Sequence, residues 1–566
     1  MNKSGKTILA LLGIAIVVFG AIYGITKLTQ NAGSTTGDKD AAKALSQLEK
    51  LTRSISVNTL SLVKGQLDSL TAEDDGSSLP DIEKQAPVAV EATTPDYIEI
   101  WSSPEKAGTG TDAWLTELVR QFNRAGKTVD GRKVSVKLRK MNSGDGVNYI
   151  VAQKAVPDAY SPSNSLWGEM LKAKNIKIET ITERLAGNTA GILLSKSAQK
   201  KINDEYGAIN LKSITQAVSE NKIQMGYTNP FASSAGLNFL VSTLYTFDSK
   251  NPLADEAAAA FEQFSANIPF VSYTTMQMRT AAQSGALDGF ILEYQSYMNL
   301  PDIKSAYSFT PYGVRHDEPL YAIGSLSQFK KDILRLFADY CLTPEAQQSA
   351  KEYGFNADAI EKYSYEMPAA DGNTIIAAQK LWKEKKSGGA DVTAVFVADV
   401  SGSMAGERLN KLKESLRKGS NYISAENSIG LITFSDEVNT AVPIGKFDLS
   451  QRAYFAGAID AMQPAGSTAM YDAIAVAAEQ LMSAKEVNPT TRLMMFVLTD
   501  GETNRGLMLN DIRDILSQLK IPIYTIGYDA DIAALETVAA INEAAALNAN
   551  TDDVVYQLEN FFNAQM

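Results

Sequence analysis

Short apolar runs alternate with helical patterns through the last third of the chain, and this alternation limits the possible fold more than any other feature. Residues 392–398, 429–434 and 493–498 are predominantly apolar runs of strand length, as expected for central strands of a parallel sheet. Helical patterns fall between them and after them, at 409–416, 452–462, 469–484 and 511–519. The alternation predicts an α/β fold with a doubly wound parallel sheet (Rossmann-like), whose strands end at one common edge.

Hydroxyl and carboxylate side chains follow these strands. Asp399, Ser401 and Ser403 alternate directly after the first strand, Thr468 precedes a helix, and Asp500 follows a later strand. Three hydroxyls and two carboxylates form an all-oxygen set, which suits a hard divalent cation, Mg²⁺ before Ca²⁺. The spacing therefore predicts a metal site at the edge of the sheet.

This D-x-S-x-S pattern, with its later threonine and aspartate in order, resembles the metal-ion-dependent adhesion site (MIDAS) of the von Willebrand factor A family. The resemblance implies that Ser401, Ser403 and Thr468 coordinate the metal directly, and that Asp399 and Asp500 do so directly or through water. The ion would be Mg²⁺, or Ca²⁺ or Mn²⁺. Neutral hydroxyl ligands leave a cation under-neutralised, so an open position would attract a carboxylate from a protein partner. We expect a docking point with no catalytic residues.

The middle of the chain begins with a strand, a helix and a strand, at 97–101, 114–122 and 134–138, which indicates a βαβ unit. Several segments of this region resemble the extracytoplasmic solute-binding proteins of ABC transporters, which have the two-lobed periplasmic-binding-protein fold. These segments are 102–103, 156–163, 226–237, 284–294 and 337–355. The resemblance implies two lobes with a ligand cleft between them.

Polar side chains at predicted strand ends and helix starts are the candidates for lining that cleft. They are Ser102, Ser103, Ser143, Ser161, Ser163, Ser234, Glu293 and Tyr294. Hydroxyls and backbone N–H groups suit a small polar or anionic solute. The alternative is that the serines only cap helices and fill turns.

The N-terminal part predicts a membrane anchor followed by a tether. Residues 7–25 carry no charge, are long enough to span a bilayer, and follow two lysines that favour a cytoplasmic N-terminus. A cleaved signal peptide is the alternative. Leucines and an isoleucine near heptad spacing at 48–62 predict a helical segment, either a short coiled coil or a helix packed on the rest of the protein.

Together the patterns predict five parts. They are a transmembrane anchor or signal peptide at 7–25, a linker with a short helical stalk at 26–94, a solute-binding-protein-like domain at 95–365, a linker at 366–390, and a von Willebrand factor A domain at 391–566.

Composition excludes several function classes. The formal net charge of −12 argues against nucleic acid as a partner. One histidine and one cysteine cannot build a structural zinc site or a disulfide framework. The histidine, His316, lies in a charged run that predicts an exposed turn. Ser103 with Lys106 and Ser197 with Lys200 have S-x-x-K spacing, a weak signal for a serine–lysine hydrolase.

We therefore expect a membrane-anchored bacterial protein, not an enzyme, whose bulk lies at the cell surface or in the periplasm. It would dock a protein partner through Mg²⁺, while the two-lobed domain senses or presents a ligand. The alternative is a solute-binding component that feeds an ABC-type transporter.

Overall fold

The structure is a computed structural model that describes residues 37–67, 79, 81–268, 270–272, 278, 287–364, 369–386, 388, 391–421, 423–501, 503–528, 535 and 546–548. The apolar segment 7–25, predicted as an anchor, lies outside these residues. None of the helices within the described ranges is both long enough and apolar enough to cross a bilayer.

Helices and strands alternate along most of the described chain. The helices are α1 (Gly37–Thr52), α2 (Ile82–Gln85), α3 (Pro104–Ala107), α4 (Trp114–Arg124), α5 (Ser143–Val151), α6 (Leu166–Ala173), α7 (Lys196–Tyr206), α8 (Leu211–Ser219), α9 (Ser234–Phe247), α10 (Asp255–Ala266), α11 (Tyr294–Met298), α12 (Pro301–Ala306), α13 (Gln328–Cys341), α14 (Pro344–Glu352), α15 (Asp358–Glu361), α16 (Gly372–Lys385), α17 (Glu407–Ser420), α18 (Leu449–Ala461), α19 (Met470–Val487) and α20 (Leu509–Leu519). The strands are β1 (Val57–Thr59), β2 (Val88–Val90), β3 (Asp96–Ser102), β4 (Thr128–Val129), β5 (Arg132–Lys140), β6 (Ala159–Ser161), β7 (Ile178–Thr182), β8 (Asn188–Ser195), β9 (Met225–Thr228), β10 (Phe270–Ser272), β11 (Gly289–Glu293), β12 (Tyr307–His316), β13 (Leu320–Ile323), β14 (Val392–Asp399), β15 (Ser428–Phe434), β16 (Val438–Lys446), β17 (Arg492–Thr499), β18 (Ile523–Gly527) and β19 (Ala546–Asn548).

The C-terminal sheet has the strand order β1-β16-β15-β14-β17-β18-β19. Strands β15, β14, β17, β18 and β19 run parallel to one another, as the alternating pattern predicts, and β16 pairs antiparallel with β15. Strand β14 is buried along its whole length, because helices cover both faces of the sheet. Its alternate side chains enter two different hydrophobic clusters, one with α17 and α18 and the other with α19 and α20.

The segment before the two-lobed domain belongs to this C-terminal sheet. Strand β1 adds to its edge as a parallel neighbour of β16. Helix α1 inserts Ala44 and Leu48, both fully buried, into the cluster formed by α19 and α20. We predicted a linker with a stalk at 26–94, with a coiled coil or a packed helix as alternatives. The structure places residues 37–67 on the C-terminal domain, so the two-lobed domain is inserted between two parts of one folded unit.

Replacing Leu48 with alanine tests this arrangement. Truncating a fully buried leucine to alanine typically lowers the free energy of unfolding by about 2–5 kcal/mol, because a cavity remains. We expect a loss in that range for the transition of the C-terminal domain, measured by urea denaturation of the full chain. Leu45, on the same helix, is only partly buried, so Leu45→Ala is the matched control with a smaller loss. Equal effects of the two changes would contradict the observed packing.

Two further sheets form the two lobes of the middle domain. The first lobe has the order β2-β5-β3-β6-β13-β7, and β4 extends from β5. The second lobe has the order β10-β9-β11-β8-β12. The chain crosses between the lobes from β7 to β8 and returns from β12 to β13. Residues 183–187 and 317–319 therefore form the hinge.

Arg492 connects the two-lobed domain to the C-terminal sheet. Its Nη2 lies 3.1 Å from the carbonyl oxygen of Ser265 and 3.3 Å from that of Ala266, at the end of α10. The last carbonyls of a helix have no partner within the helix, and the negative end of the helix dipole favours a cation there. The arginine thus holds one domain against the other through a helix end.

Candidate functional site

The carboxyl ends of β14 and β17 bring four of the five predicted metal ligands together. The hydroxyls of Ser401 and Ser403 lie 2.9 Å apart, and Ser403 Oγ donates to Asp500 Oδ1 at 3.1 Å. Asp399 lies behind them, where its Oδ1 accepts from the backbone N–H of Ser401 at 2.8 Å. Neighbouring parallel strands end at the same edge, which is why residues a hundred positions apart in the sequence meet here.

The fifth predicted ligand, Thr468, lies in the loop before α19. The N–H of Gly402 donates to the carbonyl of Gly466 at 3.0 Å, so this loop packs against the Ser401–Ser403 turn. Asn504 then fixes Thr468, accepting from its N–H at 2.9 Å and donating its own backbone N–H to the threonine carbonyl at 3.1 Å. Thr468 is buried, and it stands on the same edge as the other four residues.

Asp399 is fully buried, and burial raises its pKa even though two hydrogen bonds favour the charged form. One bond comes from the hydroxyl of Thr499, at 2.5 Å from Oδ2, and the other from Ser401. A carboxylate removed from water is stabilised by a nearby cation. This environment fits a divalent ion at the site.

A cation of the protein itself contacts this site. Arg408, near the start of α17, places Nη1 3.0 Å from Asp500 Oδ2 and 3.1 Å from the carbonyl oxygen of Ser403. The Asp500 side chain is only 6% exposed, so its charge is poorly screened by water. In the described part of the chain, no three histidine, cysteine or acidic side chains form a group able to hold an ion. A metal here therefore depends on the hydroxyls together with Asp399 and Asp500.

The predicted cleft residues meet in a buried network between the two lobes. The hydroxyl of Ser143, at the start of α5 in the first lobe, accepts from Ser234 at the start of α9 in the second lobe, at 2.9 Å. The N–H of Gly144 donates to the carbonyl of Ala232 at 3.0 Å. Trp167 Nε1 donates to Ser234 Oγ at 2.8 Å. The two lobes thus contact each other directly at the place where we predicted a ligand.

The other predicted serines surround a buried ion-pair cluster in the first lobe. The hydroxyls of Ser103 and Ser163 both donate to Glu105 Oε1, at 2.5 Å and 2.8 Å. Ser102 and Ser161 are fully buried register partners at the ends of β3 and β6. Ser161 also joins this cluster, because its carbonyl oxygen accepts from Lys106 Nζ at 3.1 Å.

His316 corrects one of our expectations. We predicted an exposed turn, and the structure buries this side chain completely at the end of β12. Its Nδ1 lies 3.0 Å from Glu293 Oε1, and its Nε2 lies 3.1 Å from the amide nitrogens of Asn164 and Asn238. The charged run is a strand end at the hinge, where partners from distant parts of the chain contact His316.

Glu293 and Tyr294 have different surroundings although they are adjacent. Glu293 is buried beside His316, accepts from Asn188 Nδ2 at 2.7 Å, and has its pKa raised by burial. Tyr294 is only partly buried, and its ring packs edge to face on Phe309 with centroids 5.0 Å apart. The structure therefore brings Glu293 into the polar network and leaves Tyr294 in an aromatic cluster.

Our sequence analysis missed several residues of both sites. Arg408, Thr499 and Asn504 support the metal-site residues, and Glu105 and Glu318 belong to the lobe network. Asn504 and Thr499 flank Asp500 in sequence, so their nearness to the motif was a usable signal. Glu318 reaches the network only through tertiary contacts, which no local pattern shows.

Two family models match the chain. The model for the von Willebrand factor type A domain matches residues 394–565, and the model for the bacterial extracellular solute-binding protein matches residues 107–356. These matches agree with the two resemblances that the motifs indicated.

Individual proteins show limited similarity. Over 185 residues the chain is 31% identical to inter-alpha-trypsin inhibitor heavy chain H4 of Homo sapiens, which covers 30% of this chain and 19% of that protein. The chain thus spans about a fifth of the length of the curated relatives that it matches. A periplasmic thiamin binding protein has a TM-score of 0.39 at 11% identity, covering 51% of this chain and 96% of that one. A von Willebrand factor type A protein from Catenulispora acidiphila has a TM-score of 0.28 at 16% identity, covering 31% and 42%.

Proposed function

Because the chain combines a solute-binding protein domain with a von Willebrand factor type A domain, we propose that it is an extracytoplasmic binding protein that docks a protein partner through a divalent cation. The match of residues 107–356 to a model for bacterial extracellular solute-binding proteins supports the extracytoplasmic location. The bulk of the chain would lie at the cell surface or in the periplasm, with residues 7–25 as its anchor in the membrane.

The docking proposal rests on the cluster of side-chain oxygens at the edge of the C-terminal sheet. Ser401, Ser403 and Asp500 are joined by hydrogen bonds of 2.9 and 3.1 Å, with Asp399 buried behind them. Ser401, Ser403 and Thr468 would hold Mg²⁺ with their hydroxyls, and the two aspartates would balance its charge directly or through water. The bound ion would supply an open coordination position, where the partner's acidic side chain completes the set.

Native mass spectrometry of the full chain, purified without chelator, tests this proposal. A divalent ion that EDTA removes, together with partner binding that EDTA reverses, is the expected result. A chain that carries no ion at millimolar Mg²⁺ or Mn²⁺ would refute the docking proposal. The same spectra report on a second candidate function, because a tightly held small molecule would appear as added mass.

That second candidate is a solute-binding component of an ABC-type transporter, or a sensor that presents its ligand to the docked partner. It is favoured by the match at residues 107–356 and by the two lobes with a hinge at 183–187 and 317–319. A small polar or anionic solute would bind between the lobes. It would have to separate Ser143 from Ser234, which now contact each other directly.

We also propose that the chain is not an enzyme. The S-x-x-K pair at 103 and 106 does come together, with Lys106 Nζ 2.5 Å from Ser103 Oγ. The same nitrogen also donates to a carboxylate oxygen of Glu318 at 2.5 Å and to the carbonyl oxygen of Ser161 at 3.1 Å, so it is held as a hydrogen-bond donor by three acceptors and is not placed as a free base beside Ser103. Ser103 is also only 1% exposed, so a substrate has no access to it in this form.

Arg408→Gln is expected to strengthen divalent-cation binding by about three- to tenfold, since a positive charge next to Asp500 competes with the ion. Isothermal titration calorimetry of the full chain with Mn²⁺ measures the change. Arg505→Gln is the matched control, because Arg505 lies 3.4 Å from Asp436 in a neighbouring loop and does not contact Asp500 in the described contacts. Weaker binding by Arg408→Gln would mean that the arginine positions Asp500 for the metal.

A further inference from the structure

Lys106 occupies a fully buried site with one acceptor for each of its three N–H bonds. Its Nζ lies 2.5 Å from Ser103 Oγ, 3.1 Å from the carbonyl oxygen of Ser161 and 2.5 Å from Glu318 Oε2. The side chains of Lys106 and Glu318 are both 0% exposed. An ammonium group has three donors and no acceptor, so this arrangement satisfies it completely.

Two acidic side chains lie beside the Lys106 nitrogen. Glu318 contacts it directly, and Glu105 lies 3.6 Å away, held by the hydroxyls of Ser103 and Ser163. Removing a lysine ammonium from water costs several kcal/mol, and only close pairing offsets this cost. The partners of Lys106 therefore make its complete burial possible.

The position of Glu318 is itself held in place. This residue lies in the return crossing of the hinge, with a φ of 51°, in the left-handed region that side chains other than glycine rarely adopt. Its backbone N–H donates to the carbonyl of Ser163 at 3.1 Å, and its own carbonyl accepts from Leu185 in the other crossing. Strained backbone of this kind persists only where the surroundings enforce it, and it marks functional positions.

Three more polar atoms near the ammonium group are buried without a partner among the described residues. They are the hydroxyls of Ser102 and Ser161 and the second carboxylate oxygen of Glu318. Ser102 and Ser161 pair across β3 and β6, whose carboxyl ends are where ligands bind in open α/β sheets. Buried polar groups are almost always hydrogen-bonded, so three unpartnered atoms, on two residues that contact Lys106 and on the strand partner of one of them, indicate a binding site that the protein fills incompletely.

We propose that the two-lobed domain contains an ammonium-binding site that Lys106 fills, and that a primary amine is the ligand class that this site accepts once the lysine side chain is removed. This inference rests on the two-lobed solute-binding domain of the proposed function, and it concerns a site other than the one between Ser143 and Ser234. The metal site plays no part in it, so every measurement below is made in EDTA. A negative result for the ammonium site would therefore leave the proposal of metal-dependent docking untouched.

The variant Lys106→Ala opens the site by removing the ammonium group and three methylenes, a volume that n-propylammonium matches. We expect the Tm of the two-lobed domain in the full chain to fall by roughly 5–15 °C, because buried carboxylates lose their partner. Millimolar n-propylammonium is expected to recover a large part of this loss. Propanol, which has a similar shape without the charge, is expected to recover none of it.

Two controls complete the test. Lys330→Ala removes an ion pair of the same lobe, with Asp158 at 2.6 Å, but its side chain is 41% exposed, so no amine response is expected. Wild-type chain is expected to show no response either, because Lys106 already fills the site. A folded Lys106→Ala that ignores n-propylammonium, or a wild-type chain that responds equally, would overturn the proposal.

If Lys106→Ala does not fold unaided, its refolding yield in n-propylammonium against propanol decides the question in the same way. A higher yield in the amine alone supports the site, and equal yields contradict it. Lys106→Met adds a further check, since it keeps all but the last heavy atom of the side-chain length and removes the charge. We expect this variant to fold with a lowered Tm and to be insensitive to the amine, because the thioether side chain blocks the space.

Discussion

Asp399→Ala is expected to abolish divalent-cation binding by the full chain, lowering its affinity by more than about a hundredfold. The change removes one of the two carboxylates that balance the charge of the ion, and the hydroxyls that remain are neutral ligands. It also leaves the Thr499 hydroxyl and the Ser401 N–H without their acceptor, a cost of about 1–3 kcal/mol, which the fold tolerates. Calorimetry with Mn²⁺ measures the affinity, and circular dichroism confirms the fold.

The matched control for this change is Asp514→Ala, which removes an exposed carboxylate from α20 in the same domain. It alters the net charge equally and leaves the strand ends untouched, so normal metal binding is expected. Partner capture is expected to follow the metal, being lost with Asp399→Ala and kept with Asp514→Ala. Undiminished Mn²⁺ binding by a folded Asp399→Ala chain would show that our ligand assignment is wrong.

Gly144→Leu is expected to prevent the two lobes from closing. Any β-carbon at this position would lie 1.8 Å from the carbonyl oxygen of Phe231 in the second lobe, a distance that no side chain can accept. The obstacle is backbone, so the lobes themselves must separate. We expect a larger radius of gyration by small-angle X-ray scattering, and a loss of about 3 kcal/mol of unfolding free energy from the two-lobed domain.

Ala125→Leu adds similar bulk at an exposed end of α4 in the first lobe. It should leave the radius of gyration and the free energy of unfolding unchanged. The comparison separates a wedge between the lobes from a general effect of an added side chain. If the scattering curve and the unfolding transition of Gly144→Leu match those of the wild type, the direct contact between the lobes is not the state in solution.

The metal site shows how far local pattern reaches. The close spacing of D-x-S-x-S brings one carboxylate and two hydroxyls to the end of β14, where residues 402–404 form a 3-10 turn instead of the extended segment that we predicted, and the carboxyl ends of parallel strands share an edge. These two rules were enough to predict that Asp500 would join Asp399 and the two serines. They could not predict Arg408, which is the second residue of α17 and contacts Asp500 only in the folded structure.

The lobe network shows where local pattern stops. The run of Arg315, His316 and the two acids after it looks like an exposed turn, since each residue is polar. In the structure His316 and Glu318 are fully buried, because Glu293, Asn164, Asn238 and Lys106 supply partners from distant parts of the chain. These partners are distant in the sequence, so no local pattern reveals them. Without them, the cost of desolvation would prevent the burial of these groups.

The sequence alone determined the two α/β domains, the edge of the sheet where the predicted metal ligands gather, and two serines of the lobe interface, Ser143 and Ser234. Each of these depends on periodicity or on a strand end, which neighbouring residues set. Only the tertiary structure decided that residues 37–67 complete the C-terminal domain across an inserted domain, and that Lys106 is buried against Glu318. Both depend on long-range contacts, whose energy comes from burying surfaces and pairing charges that lie hundreds of residues apart in the chain.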